Sequence, residues 1–227
     1  MSKKDNKAIL ALRGETRLAR PVAAPSQERN CSITDRTMKP NMSDDEVDLL
    51  RNFLVCSDRY LEFGSGGSTC LAASLVKTSV TAIDSSQQWV DSVAQACAAH
   101  ADWLQPTLIY VDIGPIGDWG WPTDPQTRPR WPAYHARIWA HPDTAKTDFI
   151  LIDGRFRVAS FMQSMLRCLP DAFIAMHDFR SRPHLHVVEE VARLVARAGE
   201  LSVFQRRRNC DETKIRTILE SHLYDAS

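Results

Sequence analysis

The sequence has 227 residues, of which 44% are hydrophobic and 25% are charged. This composition is that of an ordinary globular domain and excludes a fibrous repeat, and the length fits one domain with an arm or an insertion. Lys plus Arg and Asp plus Glu both number 28, so no net charge attracts a nucleic acid or an anionic membrane, and neither is an expected partner.

The cysteines and the apolar runs indicate a compartment. Six cysteines are spread along the chain without a CxxC pair, so reduced thiols are expected rather than a zinc or redox motif. The apolar run at 8–12 is shorter than the core of a secretory signal, and no other run is long enough to span a membrane. We therefore expect a cytoplasmic protein.

In chain order, the sequence divides into an arm and one folded domain. Residues 1–42 lack sustained periodicity and contain three interrupting prolines, which predicts a peripheral or partly disordered arm. At Ser43 the spacing to Glu46 is typical of a capping box, and apolar residues follow at helical spacing. The folded domain is therefore expected over residues 43–227.

From this helix onward, apolar strands alternate with amphipathic helices. A further helix is predicted over 187–195, and 201–204 with 214–219 are predicted to form a final antiparallel hairpin. The other predicted strands are 59–63, 79–84, 107–112, 148–153 and 172–176. This alternation predicts an α/β fold with a doubly wound, mostly parallel, seven-stranded sheet and an antiparallel C-terminal hairpin.

The segment 114–147 does not follow this alternation. It contains six of the twelve prolines and four of the six tryptophans, which is unusual for a simple connection. One interpretation is an ordered flap over the ligand site, with a short helix near 133–140 and with Trp119 and Trp121 covering a ring-bearing substrate. The other is a structural loop that covers a hydrophobic edge.

A glycine-rich turn follows the first predicted strand. Glycines there let the backbone turn tightly and approach a ligand, and an aspartate about twenty residues later can accept both hydroxyls of a ribose. Thr69 replaces the third glycine of a strict dinucleotide motif, and a carboxylate at Glu62 suits a cationic amino-acid ligand better than a pyrophosphate. The predicted cofactor residues are Glu62, Gly64, Ser65, Gly66, Gly67, Ser68, Asp84, Ser85 and Asp112.

These motifs occur in a familiar order. Glu62-x-Gly64-x-Gly66-Gly67, then Asp84, Asp112 and Ile150-Leu151-Ile152-Asp153-Gly154, resemble the class I S-adenosylmethionine-dependent methyltransferases over roughly residues 58–180. The resemblance implies a Rossmann-like fold with S-adenosylmethionine as the cofactor. It also implies that the Gly64 turn lies near the methionine part, Asp84 near the ribose and Asp112 or its neighbours near the adenine.

Two further strand ends carry ionisable residues. Asp153 and the pair His177-Asp178 end adjacent predicted strands and are expected at one rim of the sheet. This layout is similar to that of small-molecule O-methyltransferases, which implies Asp153 and Asp178 as Mg²⁺ ligands and His177 as a third ligand or general base. A metal-free acid/base site and a structural network with neighbouring arginines remain open alternatives.

The resulting hypothesis is an enzyme that O-methylates a small hydroxylated metabolite or sugar, with Asp153, His177 and Asp178 as its catalytic residues. Arg155 and Arg157 are candidates for binding a carboxylate or phosphate of the acceptor. The other partner considered is a second copy of the chain. Two alternatives remain: a nicotinamide-dependent oxidoreductase, which the missing third glycine disfavours, and a non-catalytic Rossmann-like module that binds through the tryptophan-rich segment.

Overall fold

The computed structural model describes residues 38–227, so most of the arm predicted over 1–42 lies outside the described residues. The strands are β1 (Arg59–Phe63), β2 (Ser79–Asp84), β3 (Thr107–Tyr110), β4 (Phe149–Ile152), β5 (Phe173–Met176), β6 (Ala192–Ala198) and β7 (Leu201–Arg206). The α-helices are α1 (Asp44–Leu54), α2 (Gly67–Leu75), α3 (Gln87–Ala98), α4 (Pro132–Ala136), α5 (Arg157–Arg167) and α6 (Glu212–His222).

The seven strands form one sheet in the order β3-β2-β1-β4-β5-β7-β6. The strands from β1 to β5 pair in parallel, and β7 runs antiparallel to both β5 and β6. Strand order reverses at β1 and β4, which is where open α/β sheets bind their ligands, beyond the carboxyl ends of the strands. The predicted fold class is confirmed.

Alternating side chains of each central strand enter two different cores. Leu61, Phe63 and Ile152 pack in a core with α4, α5 and α6, whereas Tyr60 and Leu151 pack on the opposite face with α1 and α2. Burial on both faces explains why these strands are nearly continuous apolar runs. Helices cover both faces of the sheet, so its polar strand ends are the part of it that remains open to a ligand.

Two predicted elements near the C-terminus are wrong. Residues 187–195 are not an α-helix but a 3₁₀ turn, Pro183–Glu190, followed by β6. Residues 214–219 are not a strand, since they belong to α6. Asp211 caps α6 by accepting from the Thr213 N–H at 2.8 Å, and Ile215 and Ile218 bury one side of it against α5. The antiparallel hairpin exists, but β6 and β7 form it.

The segment 114–147 is ordered. It consists of short 3₁₀ turns around α4, and Tyr134 and Ile138 are buried in the core beside the sheet. The short helix expected near 133–140 is present as α4 and the 3₁₀ turn Arg137–Ala140. This segment, which we call the flap, is therefore fixed to the domain by its own apolar side chains.

Two further sequence expectations concern the cysteines and the membrane. The five described cysteines are free thiols, and Cys31 lies outside the described residues. Among residues 38–227, no helix combines the length and apolar character that crossing a bilayer requires.

Candidate cofactor and acceptor site

A cavity of about 790 Å³ opens at the carboxyl ends of β1, β2 and β4. The turn after β1, the end of β2 and the turn after β4 form its floor, and the flap residues 116–120 form part of its wall. Of the predicted cofactor residues, those that line it are Gly64, Ser65, Gly66, Gly67, Ser68, Asp84 and Ser85. The structure thus brings together residues that are up to 21 positions apart in the sequence.

The floor depends on a close approach between two glycines. Gly64 has φ +93°, and a Cβ atom on it would lie 2.6 Å from the backbone nitrogen of Gly154. The Gly154 N–H in turn donates to the Phe63 carbonyl at 2.7 Å. The turns after β1 and β4 therefore touch backbone to backbone, which only glycine allows.

We expect Gly64→Ala to destabilise the protein by roughly 3 kcal/mol, from left-handed backbone strain and the clash with Gly154. Gly66→Ala is the matched control, since Gly66 has an extended φ of 174° and a Cβ there would meet only the Trp89 ring, at 3.9 Å. Urea denaturation of both variants measures the difference. Equal losses in the two would contradict the close packing of Gly64 on Gly154.

Glu62 lies behind the glycine turn rather than in the cavity. It is fully buried, and its carboxyl group accepts from the Ser68 hydroxyl and, at 2.6 Å, from the Thr69 hydroxyl. Thr69 Oγ1 also accepts from the Gly66 N–H at 2.9 Å. Glu62 therefore anchors the turn and the start of α2, and the predicted contact between Glu62 and the cationic amino group of a ligand does not fit this burial.

Burial also changes the protonation of Glu62. Desolvation raises its pKa to about 8, with a smaller contribution from the negative charge of Asp153, although the hydrogen bonds from Ser68 and Thr69 oppose the shift. A pKa near 8 means that most of this side chain is neutral at pH 7.

We expect this raised pKa to make stability fall as pH rises. A group with a pKa higher in the folded than in the unfolded state stabilises below the unfolded value of 4.5, and this contribution is lost as pH rises through about 8. Relative to Glu62→Gln, the wild type should lose about 1.4 kcal/mol of unfolding free energy per pH unit within this window. Urea titrations at several pH values test this, and a constant difference between the two proteins would contradict it.

Backbone amides hold the Asp84 side chain at the carboxyl end of β2. Its Oδ2 accepts from the Ser65 N–H at 2.9 Å and its Oδ1 from the Ser86 N–H at 2.9 Å. Desolvation nevertheless raises the pKa of Asp84 above its usual value, and these hydrogen bonds oppose the shift. The carboxylate is therefore fixed in orientation while it lines the cavity, as a ribose-binding group must be.

Asp112 is placed differently from Asp84. Its side chain is exposed, pairs with Arg130 at 3.0 Å and accepts from the Gly114 N–H at 2.9 Å, and it is not among the residues that line the cavity. Its predicted position near an adenine rests on the resemblance alone. The carboxylate instead fixes the start of the flap.

Sequence reasoning missed several residues of the cavity. Trp89 is 43% exposed, lines the cavity and donates from Nε1 to the Ser65 carbonyl. Residues 38–41, within the predicted arm, also line it, and Lys39 crosses so close to Gly67 that a Cβ atom there would clash. The position of Trp89, shortly after Asp84, was a signal that could have identified it. No local sequence pattern marks residues 38–41 as part of the cavity.

At the rim between β4 and β5, Arg157 is a buried structural group. It is 2% exposed, and all five guanidinium N–H donors face protein oxygens within 3.5 Å. These are the carbonyls of Gly154, His177 and Asp153 and the carboxylates of Asp153 and Asp178. No donor is left for an acceptor molecule, so the predicted substrate contact of Arg157 does not fit the structure.

His177 lies between carboxylates on both sides of its ring. Nδ1 is 3.1 Å from Asp153 Oδ1, and Nε2 is 3.7 Å from Oε2 of Glu46, a buried residue of α1. Burial works to lower the pKa of His177, but the Asp153 hydrogen bond and the charges of Asp153, Asp178 and Glu46 raise it overall. Since both nitrogens face protein carboxylates, neither is available as the predicted general base.

The rim residues do not fit a magnesium site. One ligand atom each from Asp153, His177 and Asp178 lies within 4.8 Å of the others, a spacing that a cation could bridge. However, Arg157 contacts both carboxylates and Arg182 lies 2.7 Å from Asp178, so cationic side chains already occupy this position. The imidazole nitrogen is also a poor ligand for Mg²⁺, which prefers oxygen. This arrangement favours the structural network predicted as an alternative.

A second cavity of about 540 Å³ adjoins the first above this rim. The two share wall residues from the rim and the flap, including Asp153, Arg155 and Trp119, while Trp121, His177 and Asp178 line only the second. Trp119 is 82% exposed and Trp121 is partly exposed. The flap tryptophans predicted to cover a substrate therefore lie at the second cavity, beside the predicted catalytic residues.

Comparisons with known proteins agree with this architecture. No family model matches the sequence, and no curated protein matches it. A methyltransferase-like protein from Silicibacter pomeroyi has a similar structure, with a TM-score of 0.75 and 27% identity over 83% of this chain and 98% of that one. A methyltransferase from Geobacter sulfurreducens shares the fold, with a TM-score of 0.51 and 13% identity over 74% of this chain and 82% of that one. Together with the strand order and the glycine turn, these likenesses show that the chain has the Rossmann-like fold of the class I S-adenosylmethionine-dependent methyltransferases.

Proposed function

We propose that this protein is an S-adenosylmethionine-dependent methyltransferase that methylates a hydroxyl group of a small molecule. The observation that carries the proposal is the cavity between the glycine turn and Asp84, at the carboxyl ends of a sheet with this strand order. Asp84 is suited to the ribose hydroxyls, and the backbone of the Gly64 turn permits close approach of the amino-acid part.

The second cavity is suited to the methyl acceptor. It adjoins the first through Asp153 and Arg155, so an acceptor there would face the cofactor cavity directly. Its volume of about 540 Å³ fits a small metabolite or a sugar rather than a macromolecule. Trp119 and Trp121 supply apolar surface on the flap side.

Asp153 is the residue best placed to assist the reaction. When bound, the cofactor supplies a methyl group that its sulfonium already activates, so the protein must align the acceptor and help remove its proton. Asp153 Oδ1 is held by His177 and Arg157, while the side chain lines both cavities. In this mechanism Asp153 accepts the hydroxyl proton, and His177 and Arg157 orient the carboxylate.

The test is a methyl-transfer screen. The protein is incubated with S-adenosylmethionine and a pool of hydroxylated aromatics, hydroxy acids and sugars, and S-adenosylhomocysteine release and methylated products are followed by mass spectrometry. We expect product with an added methyl on oxygen, and much less of it with Asp84→Ala at a subsaturating cofactor concentration. Cofactor binding without transfer to any member of the pool would instead favour a non-catalytic binding module.

A further inference from the structure

Arg155 is a buried cation for which the described residues provide no counter-ion. The residue is 8% exposed, and its Nε atom has no hydrogen-bond partner among residues 38–227. Within the same residues its guanidinium takes part in no ion pair, unlike Arg157 and Arg182. An unpaired buried guanidinium is costly, so such a group is expected where a ligand supplies the missing anion.

The other arginines at the rim have carboxylate partners, whereas Arg155 has none among the described residues. At the rim, Arg157 and Arg182 contact the carboxylates of Asp153 and Asp178, and His177 lies between Asp153 and Glu46, whereas no described carboxylate pairs with Arg155. Asp118 also lines the second cavity, but it is exposed on the flap and forms no ion pair within the described residues. Desolvation and the nearby charges of Arg157 and Arg182 lower the pKa of Arg155, and the negative charge of Asp153 opposes this shift without cancelling it.

The flap holds the Arg155 side chain at the junction of the two cavities. Its guanidinium carbon lies 5.4 Å from the centre of the Trp121 ring, a cation–π arrangement. A Cβ atom on Gly120 would lie 3.8 Å from Arg155 Cγ, so the flap backbone passes close to the aliphatic part of the side chain. The backbone N–H of Arg155 is 3.4 Å from the Tyr134 hydroxyl. The position and orientation of the Arg155 side chain are therefore fixed in the absence of a ligand.

We propose that Arg155 binds a carboxylate of the methyl acceptor, so that the substrate class is a small hydroxy acid. The proposal rests on the proposed function and specifies its substrate. One unpaired guanidinium matches a monoanion better than a phosphate dianion, and its planar group can bind a carboxylate through two hydrogen bonds. Trp121 contacts Arg155 and lines only the second cavity, which assigns the bound anion to the acceptor rather than to the cofactor.

The experiment compares matched anionic and neutral probes. Binding of 3,4-dihydroxybenzoate, the neutral 3,4-dihydroxybenzamide and phenyl phosphate is measured by tryptophan fluorescence with the protein saturated with S-adenosylhomocysteine. We expect the wild type to bind the benzoate about 10- to 100-fold more tightly than the benzamide, the range for charged hydrogen bonds. Equal affinity for these two probes, or no binding of either, would overturn the proposal, as would tighter Arg155-dependent binding of phenyl phosphate.

Variants of Arg155 separate the two carboxylates that the guanidinium could bind. Arg155→Gln should abolish the preference for the benzoate and leave benzamide and S-adenosylhomocysteine binding unchanged, and Arg155→Lys should restore part of the preference. Arg180→Gln makes the same substitution at an exposed arginine that lines neither cavity and is the matched control. If Arg155→Gln instead weakens S-adenosylhomocysteine binding about tenfold, the guanidinium binds the cofactor and the acceptor assignment is wrong. Failure of the wild type to bind S-adenosylhomocysteine would be a different result, since it contradicts the proposed function itself.

Discussion

Replacing Asp84 by alanine is expected to weaken S-adenosylhomocysteine binding about 100-fold, because two hydrogen bonds to a charged carboxylate are lost. Asp84 lines the cavity, and backbone amides of Ser65 and Ser86 fix its two oxygens. The variant also frees the Ser65 amide, which loosens the glycine turn. Isothermal titration calorimetry of the purified variant measures the effect.

Asp112→Ala is the informative comparison for Asp84→Ala. Asp84 ends β2 and Asp112 follows β3, the strand that pairs with β2 in parallel, and both aspartates are implied in cofactor binding by the family resemblance. The structure distinguishes them, since Asp112 is exposed and paired with Arg130 outside the lining of the cavity. We expect Asp112→Ala to leave the affinity nearly unchanged. An equal loss in both variants would mean that Asp112 contacts the cofactor and that the cavity is misassigned.

The second large effect is expected for Asp153→Asn. Turnover with an acceptor from the methyl-transfer screen should fall about 100- to 10,000-fold, the usual contribution of a positioned general base. Asparagine keeps the shape and one oxygen that can accept from His177, so cofactor affinity should be retained. Initial rates of S-adenosylhomocysteine release measure turnover, and calorimetry measures the affinity.

Asp171→Asn is a suitable control for Asp153→Asn because Asp171 is exposed at the opposite, amino-terminal end of β5. It should leave turnover unchanged. Full activity in Asp153→Asn would contradict the role of Asp153 as the proton acceptor. Parallel loss of cofactor binding and turnover would instead show that Asp153 acts by maintaining the cofactor cavity.

The parts of the site that lie at strand ends could be predicted from the sequence. Gly64, Asp84 and Asp153 each lie at the carboxyl end of a buried strand, and parallel strands carry these ends to one edge of the sheet. The apolar pattern of the sequence was therefore sufficient to predict the parallel strands and the site at their carboxyl ends. The C-terminal elements were harder because the short apolar runs at 192–198 and 214–219 fit either a strand or a helix, and tertiary packing decided between them.

The roles of individual side chains depended on contacts between distant segments. Glu46 fits a capping box, and its carboxylate does accept from the Ser43 N–H at 2.7 Å. However, it also accepts from the Glu200 N–H and faces His177. The local sequence does not predict these contacts, because both partners are distant in the chain. Likewise, Arg155 and Arg157 have the same side chain two positions apart, but only the structure shows that one is fully paired and the other is not.

Calorimetric titration of the wild-type protein with S-adenosylhomocysteine tests the central claim most directly. The cavity at the glycine turn and Asp84 predicts saturable binding of one molecule per chain, with no binding of NADH under the same conditions. Absence of any heat of binding for S-adenosylhomocysteine at millimolar ligand, or saturable binding of NADH in its place, would contradict the proposal that this fold serves methyl transfer.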